Sequence, residues 1–250
     1  MSGHSHWAQI RRQKGAQDAK RGAVFTKAAR EIQTAVRHGG SNPDTNFSLR
    51  LAIDRARAVN MPKDSIERAI ERASGVGASD NFDEVLYEGY GPHGVAILIE
   101  TLTDNRNRTV SELRHTLSKR GGSLAEGGSV AWQFDQKGVI VVDPGKADPD
   151  ELGLLAIDLG ADDVQPLDEG VEILTPVESL QAVREGLIQN KVTIKSAELS
   201  RIPKLSVPLD ETNTMQVMAL IEALEELDDV QNVYSNLEVS DEMYEKLEAR

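Results

Sequence analysis

From Phe25 onward, apolar residues return every three or four positions, at Phe25, Ala28, Ala29, Ile32 and Val36. That spacing is one face of an α-helix, and His38-Gly39-Gly40 stops it. Leu49, Ala52, Ile53, Ala56 and Val59 repeat the pattern until Asn60-Met61-Pro62 breaks it. Pro62 suits the first turn of a third helix, in which Ile66, Ala69, Ile70 and Ala73 face inward. Asp64 and Glu67 stand in that first turn, where negative charge complements the helix dipole.

After residue 80 the period changes. Residues 83–90 and 95–102 read as strands joined by a Gly-Pro-His-Gly turn, and 107–120 as a helix stopped by Gly121-Gly122. Residues 130–134 and 138–142 read as a further strand pair, with Asp135-Gln136-Lys137 as its turn. Next come a helix over 148–159, strands over 164–167 and 171–174, and a helix over 176–189. A strand over 192–199, a short edge strand over 204–208, a helix over 212–227 and a strand over 230–236 complete the series. The order predicts an α+β protein: an N-terminal three-helix domain followed by two α+β domains with antiparallel sheets, one inserted in the other. The expected boundaries are 1–78, then 79–130 plus 205–250, with 131–204 as the insertion.

Charge changes this picture more than composition does. The chain has 250 residues and a formal net charge of −13, yet its first 75 residues carry 14 Lys/Arg against 7 Asp/Glu. The remaining 175 carry 14 against 34. Residues 135–200 alone hold 14 Asp/Glu and 5 Lys/Arg. A basic segment on an acidic body is the electrostatic layout of a polyanion-binding head. Pairing of the basic strip with the protein's own acidic domain stands as the alternative. There is no cysteine, so no disulfide or Cys-based zinc site, and a reducing cytoplasm fits. No apolar run reaches a membrane span, and the start lacks the apolar core of a signal peptide.

Gly89-Tyr90-Gly91-Pro92-His93-Gly94 matches G-x-G-x-x-G as a string, but a strand follows it, not a helix. The hairpin reading therefore displaces the dinucleotide one. His4 and His6 alternate and supply at most two metal ligands, so neither a metal nor any other cofactor is expected. A better reading is an N-terminal arm in which His4 and Trp7 precede a dense basic run, Arg11, Arg12, Lys14, Lys20 and Arg21. Each cation can neutralise a phosphate, and Trp7 can stack on a base or anchor the arm. Lys27, Arg55, Lys63 and Arg68 extend the patch over the helices. Arg106 and Arg108 lie between a strand and a helix, as a secondary anion contact or as part of a cap. No linear catalytic motif is present, and a non-enzymatic role is expected, with a protein-only adaptor as the alternative to nucleic-acid binding.

Four blocks carry a resemblance to a known family: residues 3–8 (Gly-His-Ser-His-Trp-Ala), 17–22 with Phe25-Thr26-Lys27, 49–70 with Asn60-Met61-Pro62-Lys63-Asp64, and 87–92 (Tyr-Glu-Gly-Tyr-Gly-Pro). With these the chain resembles the YebC/PmpR family of gene-expression regulators, which includes the mitochondrial translational activator of cytochrome oxidase subunit one. The resemblance implies three domains, one interrupting another, and a nucleic-acid-binding regulator. Some members are described as transcriptional regulators on promoter DNA, others as translation factors on the ribosome. The implied partner is therefore promoter DNA or ribosomal RNA, and the ribosome itself in the second case, with neither membrane nor small-molecule substrate. The sequence departs from the family at His6, where Lys is usual, and at His93, where Gly is usual.

Overall fold

The computed structural model describes residues 18–75, 82–145, 148–167 and 170–239. Helix α1 spans Asp18–Gly39, α2 Phe47–Ala58 and α3 Lys63–Ser74. Their apolar stripes meet in a core where Ile32, Leu49 and Ala56 are fully buried and Met61, Ile66 and Ala69 nearly so. Each large aliphatic side chain buried this way contributes about 1.5–3 kcal/mol. One polar residue ties the first two helices together. Asn46 caps α2 by accepting from the Leu49 amide (3.0 Å), and its Nδ2 donates to the Ala35 and Gly40 carbonyls (2.7 and 2.8 Å). Gly39 permits this approach, because a Cβ there would stand 2.6 Å from the Asn46 side chain.

Four helices end in the same hydrogen-bonded closure, in which a left-handed residue lets two amides turn back on the last carbonyls. Asn60 (φ 60°) ends α2, with its amide on Arg57 O and the Met61 amide on Ala56 O. Gly121, Gly160 and Lys191 do the same for the helices described next.

Beyond residue 82 the chain forms β1 (Asp83–Tyr90), a 3-10 turn (Pro92–Gly94), β2 (Ala96–Thr103), α4 (Arg106–Lys119) and β3 (Ser123–Leu124). It later returns through β8 (Val207–Pro208), α7 (Glu211–Glu225), β9 (Val230–Ser235) and β10 (Leu237–Glu238). The strands give a four-stranded sheet of order β3-β1-β2-β9, with β1, β3 and β9 paired antiparallel, and a short parallel β8–β10 pair. α4 packs on α7, which packs on β9. On β2, Ile97, Leu98 and Ile99 are all fully buried. Ala96 and Leu98 lie under Val130 and Phe134, so the strand is covered on both faces. This is why its sequence is continuously apolar rather than alternating.

The described residues divide into two compact units, those up to 134 together with those from 203 on and, separately, those between 135 and 202. The second contains β4 (Phe134–Asp143), α5 (Pro149–Asp158), β5 (Asp163–Leu167), β6 (Gly170–Thr175), α6 (Leu180–Gln189) and β7 (Thr193–Pro203), with sheet order β5-β6-β4-β7. Leu180, Val183 and Leu187 of α6 are fully buried. The α+β class, with a helical head followed by antiparallel sheets, agrees with the sequence reading.

One stretch differs from expectation. Residues 130–134 form no separate strand, and 135–137 are no turn. Ala131–Gln133 is a 3-10 turn, and a single ten-residue strand runs from Phe134 to Asp143. Two side-chain effects account for this. The Glu88 carboxylate accepts from the amides of Gly128, Val130 and Ala131, which removes them from any ladder. Gly138 is a close-approach glycine inside the strand, since a Cβ there would meet Thr175 Oγ1 at 2.3 Å and Leu180 Cβ at 2.8 Å.

Candidate nucleic-acid interface

His4, Trp7, Arg11, Arg12 and Lys14 lie outside the described residues. Lys20 and Arg21 belong to the first turns of α1, and their side chains are likewise outside the description. Gly89 to Gly94 form the end of β1 and the tip of the β1–β2 hairpin, followed in the chain by a strand and not by a helix.

The described cations of the head fall into two groups. The first is engaged within the chain. Lys27 donates to the Glu225 carbonyl (2.6 Å) at the C-terminal end of α7, where a cation is favoured by the helix dipole. Arg30, one turn along α1, donates to the Asp228 carbonyl (2.8 Å) and Asp229 Oδ1 (3.1 Å) and lies over the Phe82 ring. Arg55 pairs with Glu31 across the α1–α2 contact. Arg50 donates to the Pro43 and Asp44 carbonyls, whereas Arg57 is exposed and meets only Asp54 of its own helix at 3.5 Å, so it belongs with the solvent-facing cations. This face of α1 is the surface by which the head docks on α7 and the loop after it, so Lys27 and Arg55 stand apart from an open patch.

The second group faces solvent. Lys63 is 85% exposed with Glu67 at 3.5 Å, and Arg68 donates Nε to its own helix at the Asp64 carbonyl. An exposed i,i+4 pair such as Lys63–Glu67 is worth only about 0.3–0.5 kcal/mol, so it yields easily to a phosphate. Arg72 is exposed on the same helix.

Arg106 and Arg108, the secondary candidates, both meet carboxylates. Arg106 Nε donates to Asp83 (2.7 Å), and Arg108 donates to Asp104 (2.8 Å) and to both oxygens of Asp229 (2.9 and 2.8 Å). Asp229 is 1% exposed and also accepts from the Thr103 and Thr109 hydroxyls. Burial would raise its carboxyl, but Arg108 and Thr109 outweigh burial and hold it below the ordinary aspartate range. Sequence reasoning missed this residue. A single Asp in an acidic loop carries no linear signal, and its importance comes from α1 and α4 converging on it through Arg30 and Arg108. Among the described residues there is no group of three or more His, Asp or Glu that could hold a metal ion, and no helix is long and apolar enough to cross a membrane.

Residues 5–76 match the family model for the TACO1/YebC protein N-terminal domain, and residues 82–237 match that for the TACO1/YebC second and third domain. The chain belongs to the TACO1/YebC family. Its relatives include a protein of Chloroflexus aggregans, 54% identical over 252 residues with both chains fully covered. Another, from Herpetosiphon aurantiacus, is 53% identical over 247 residues, 98% of each chain. Both carry the name "Probable transcriptional regulatory protein". Among solved structures, the conserved hypothetical protein Aq1575 of Aquifex aeolicus superposes with a TM-score of 0.84 at 46% identity, covering 94% of this chain and 98% of its own. These relatives are thus regulators by name.

Proposed function

We propose that this protein is a non-enzymatic, cytoplasmic regulator of gene expression that binds nucleic acid through its basic amino-terminal segment. The observation that carries the reading is charge segregation: 14 Lys/Arg against 7 Asp/Glu in residues 1–75, on a chain whose remainder is strongly acidic. Arg11, Arg12, Lys14, Lys20 and Arg21 contact phosphates, with His4 and Trp7 in the same segment of sequence, and Lys63 and Arg68 add to the binding. Lys27, Arg55 and Arg108 hold the fold together instead. No cofactor or small-molecule substrate is involved. The names of the relatives favour promoter DNA as the target.

A second reading, binding of ribosomal RNA by a ribosome-associated translation factor, is favoured by one feature of α2. Arg50 and Arg55 have partners inside the head, and the exposed Arg57, with Asp54 at 3.5 Å, is a single side chain, so this helix offers no row of free cations to base edges in a major groove. Recognition by backbone and shape suits folded RNA.

Replacing Arg11, Arg12 and Lys14 together by Gln tests the arm. The slope of log K against log salt is expected to flatten by about 0.7–0.9 per lost phosphate contact. A slope equal to that of the native protein on both DNA and RNA would count against the arm. Crosslinking in cells followed by sequencing separates the two targets: discrete promoter peaks for DNA, or one enriched rRNA neighbourhood for RNA.

A further inference from the structure

Between residues 82 and 134 every lysine and arginine lies in one fifteen-residue stretch, at Arg106, Arg108, Arg114, Lys119 and Arg120, with Glu112 as its single carboxylate. These are α4 and its C-cap. The two cations at the start of the helix are neutralised by Asp83, Asp104 and Asp229. The three toward its end are not. Arg114, Lys119 and Arg120 are exposed, and among the described residues their side chains have no ion pair or hydrogen bond. In a chain with 41 carboxylates against 28 cations, that is a basic ridge along the exposed side of α4 with no partner among the described residues.

The ridge is built on rigid structure. Leu113 and Leu117 are fully buried on the opposite side of α4, which fixes the rotation of the helix and turns Arg114, His115, Ser118 and Lys119 outward. The Gly121 closure then locks its end, with the Gly121 amide on Ser118 O and the Gly122 amide on Leu117 O. Gly121 also lies against Pro92 and Gln216, and Gln216 bonds the exposed His93 at the hairpin tip (3.1 Å). Compensation of the helix dipole accounts for cations in a last turn but not for Arg114 in mid-helix. From Arg114 to Lys119 the helix rises about 7.5 Å and turns about 140°, so the two long side chains flank its exposed surface, where a phosphodiester backbone crossing the helix can meet both.

We propose that Arg114, Lys119 and Arg120 form a second phosphodiester-binding surface, contacting the backbone of the same nucleic acid that the amino-terminal segment holds. This inference rests on the reading under Proposed function. Arg supplies paired donors matched to phosphate oxygens, and a surface of this kind contributes affinity and orientation without sequence readout.

The test uses the full-length protein with labelled duplex DNA and a labelled RNA hairpin. The R114Q/K119Q/R120Q variant is compared with R11Q/R12Q/K14Q, which loses the same three charges. On the probe that binds the native protein, the slope of log K against log salt should fall by about 2–3 for the α4 variant. R120K and K119R should retain it. A photo-crosslinker at Ser118 should label with the same probe. If the arm variant flattens the slope while the α4 variant keeps the native value and Ser118 fails to crosslink, the second surface is wrong and the proposed function stands. If neither probe binds the native protein at 50 mM salt, both fall. If polyglutamate competes as strongly as nucleic acid for the Ser118 crosslink, the ridge serves an acidic protein segment, and the proposal is overturned. A far-UV spectrum and thermal midpoint matching the native protein establish that the exposed substitutions left the fold intact.

Discussion

Two buried carboxylates show how surroundings decide what a residue does. Asp229 receives two guanidinium groups and two hydroxyls and is held ionised. Glu172 on β6 is fully buried, and neither of its oxygens has a hydrogen-bond partner. Burial first, then the neighbouring Asp163 and Glu198, push its carboxyl up to about 8. An acid raised in the folded state binds a proton there that the unfolded chain has already released. Its contribution to stability is therefore intact below about pH 4.5 and is lost as pH rises toward 8, by at most about 5 kcal/mol. Glu172→Gln should accordingly raise the thermal midpoint at pH 8.5 and change it little at pH 5. Equal shifts at both values would show that Glu172 is already ionised in the folded protein. Nothing in Val171-Glu172-Ile173 announces this. Alternation marks Glu172 as facing away from its neighbours, but only the tertiary cover makes that second face dry.

At the scale of elements, the helices were legible because their signals are local. Apolar spacing, the Pro62 break and the Gly121-Gly122 stop place α2, α3 and α4 within one or two residues of where they form. Asn60 and Lys191, in contrast, adopt the left-handed conformation usually given to glycine. The 130–138 stretch misled because its deciding partner, Glu88, lies 40 or more residues earlier. Burial would raise the Glu88 carboxyl, but three backbone amides overcome this and hold it below the ordinary range. The same clamp fixes the turn that carries Trp132, whose indole N–H donates to the Ser129 carbonyl while the side chain stays 66% exposed. Glu88→Gln places an amide donor against backbone donors and should cost about 1–3 kcal/mol. Hydrogen exchange should accelerate at the Gly128, Val130 and Ala131 amides ahead of the rest of the sheet. Exchange that speeds up uniformly would mean that the carboxylate supports the sheet as a whole and not this turn.

At the scale of the molecule, the average charge conceals the arrangement that matters. The excess of the amino-terminal segment was visible in the sequence, but the inward use of Lys27, Arg30 and Arg55 was not, since it depends on which helix face docks. The ridge on α4 was countable in the sequence and became meaningful only once its first two cations were found paired and its last three exposed. The stretch 135–202 can be removed to test how much its charge opposes the rest. Its two flanks are joined by the Lys204 amide donating to the Gln133 carbonyl (2.8 Å), so a Gly-Ser-Gly link suffices to connect Phe134 to Pro203. The stretch carries 14 Asp/Glu and 6 Lys/Arg, and excision moves the formal charge from −13 to −5. Sheet β3-β1-β2-β9 and the α1 contacts with α7 and Asp229 all lie outside it, so the remainder should fold with native-like helical content. Less like-charge repulsion should strengthen polyanion binding at 20 mM salt, and the gain should shrink at 200 mM as the screening length falls below about 10 Å. Weaker binding by a folded excised protein at both salts would assign the stretch a contact of its own with the nucleic acid and would refute its role as a purely repulsive body.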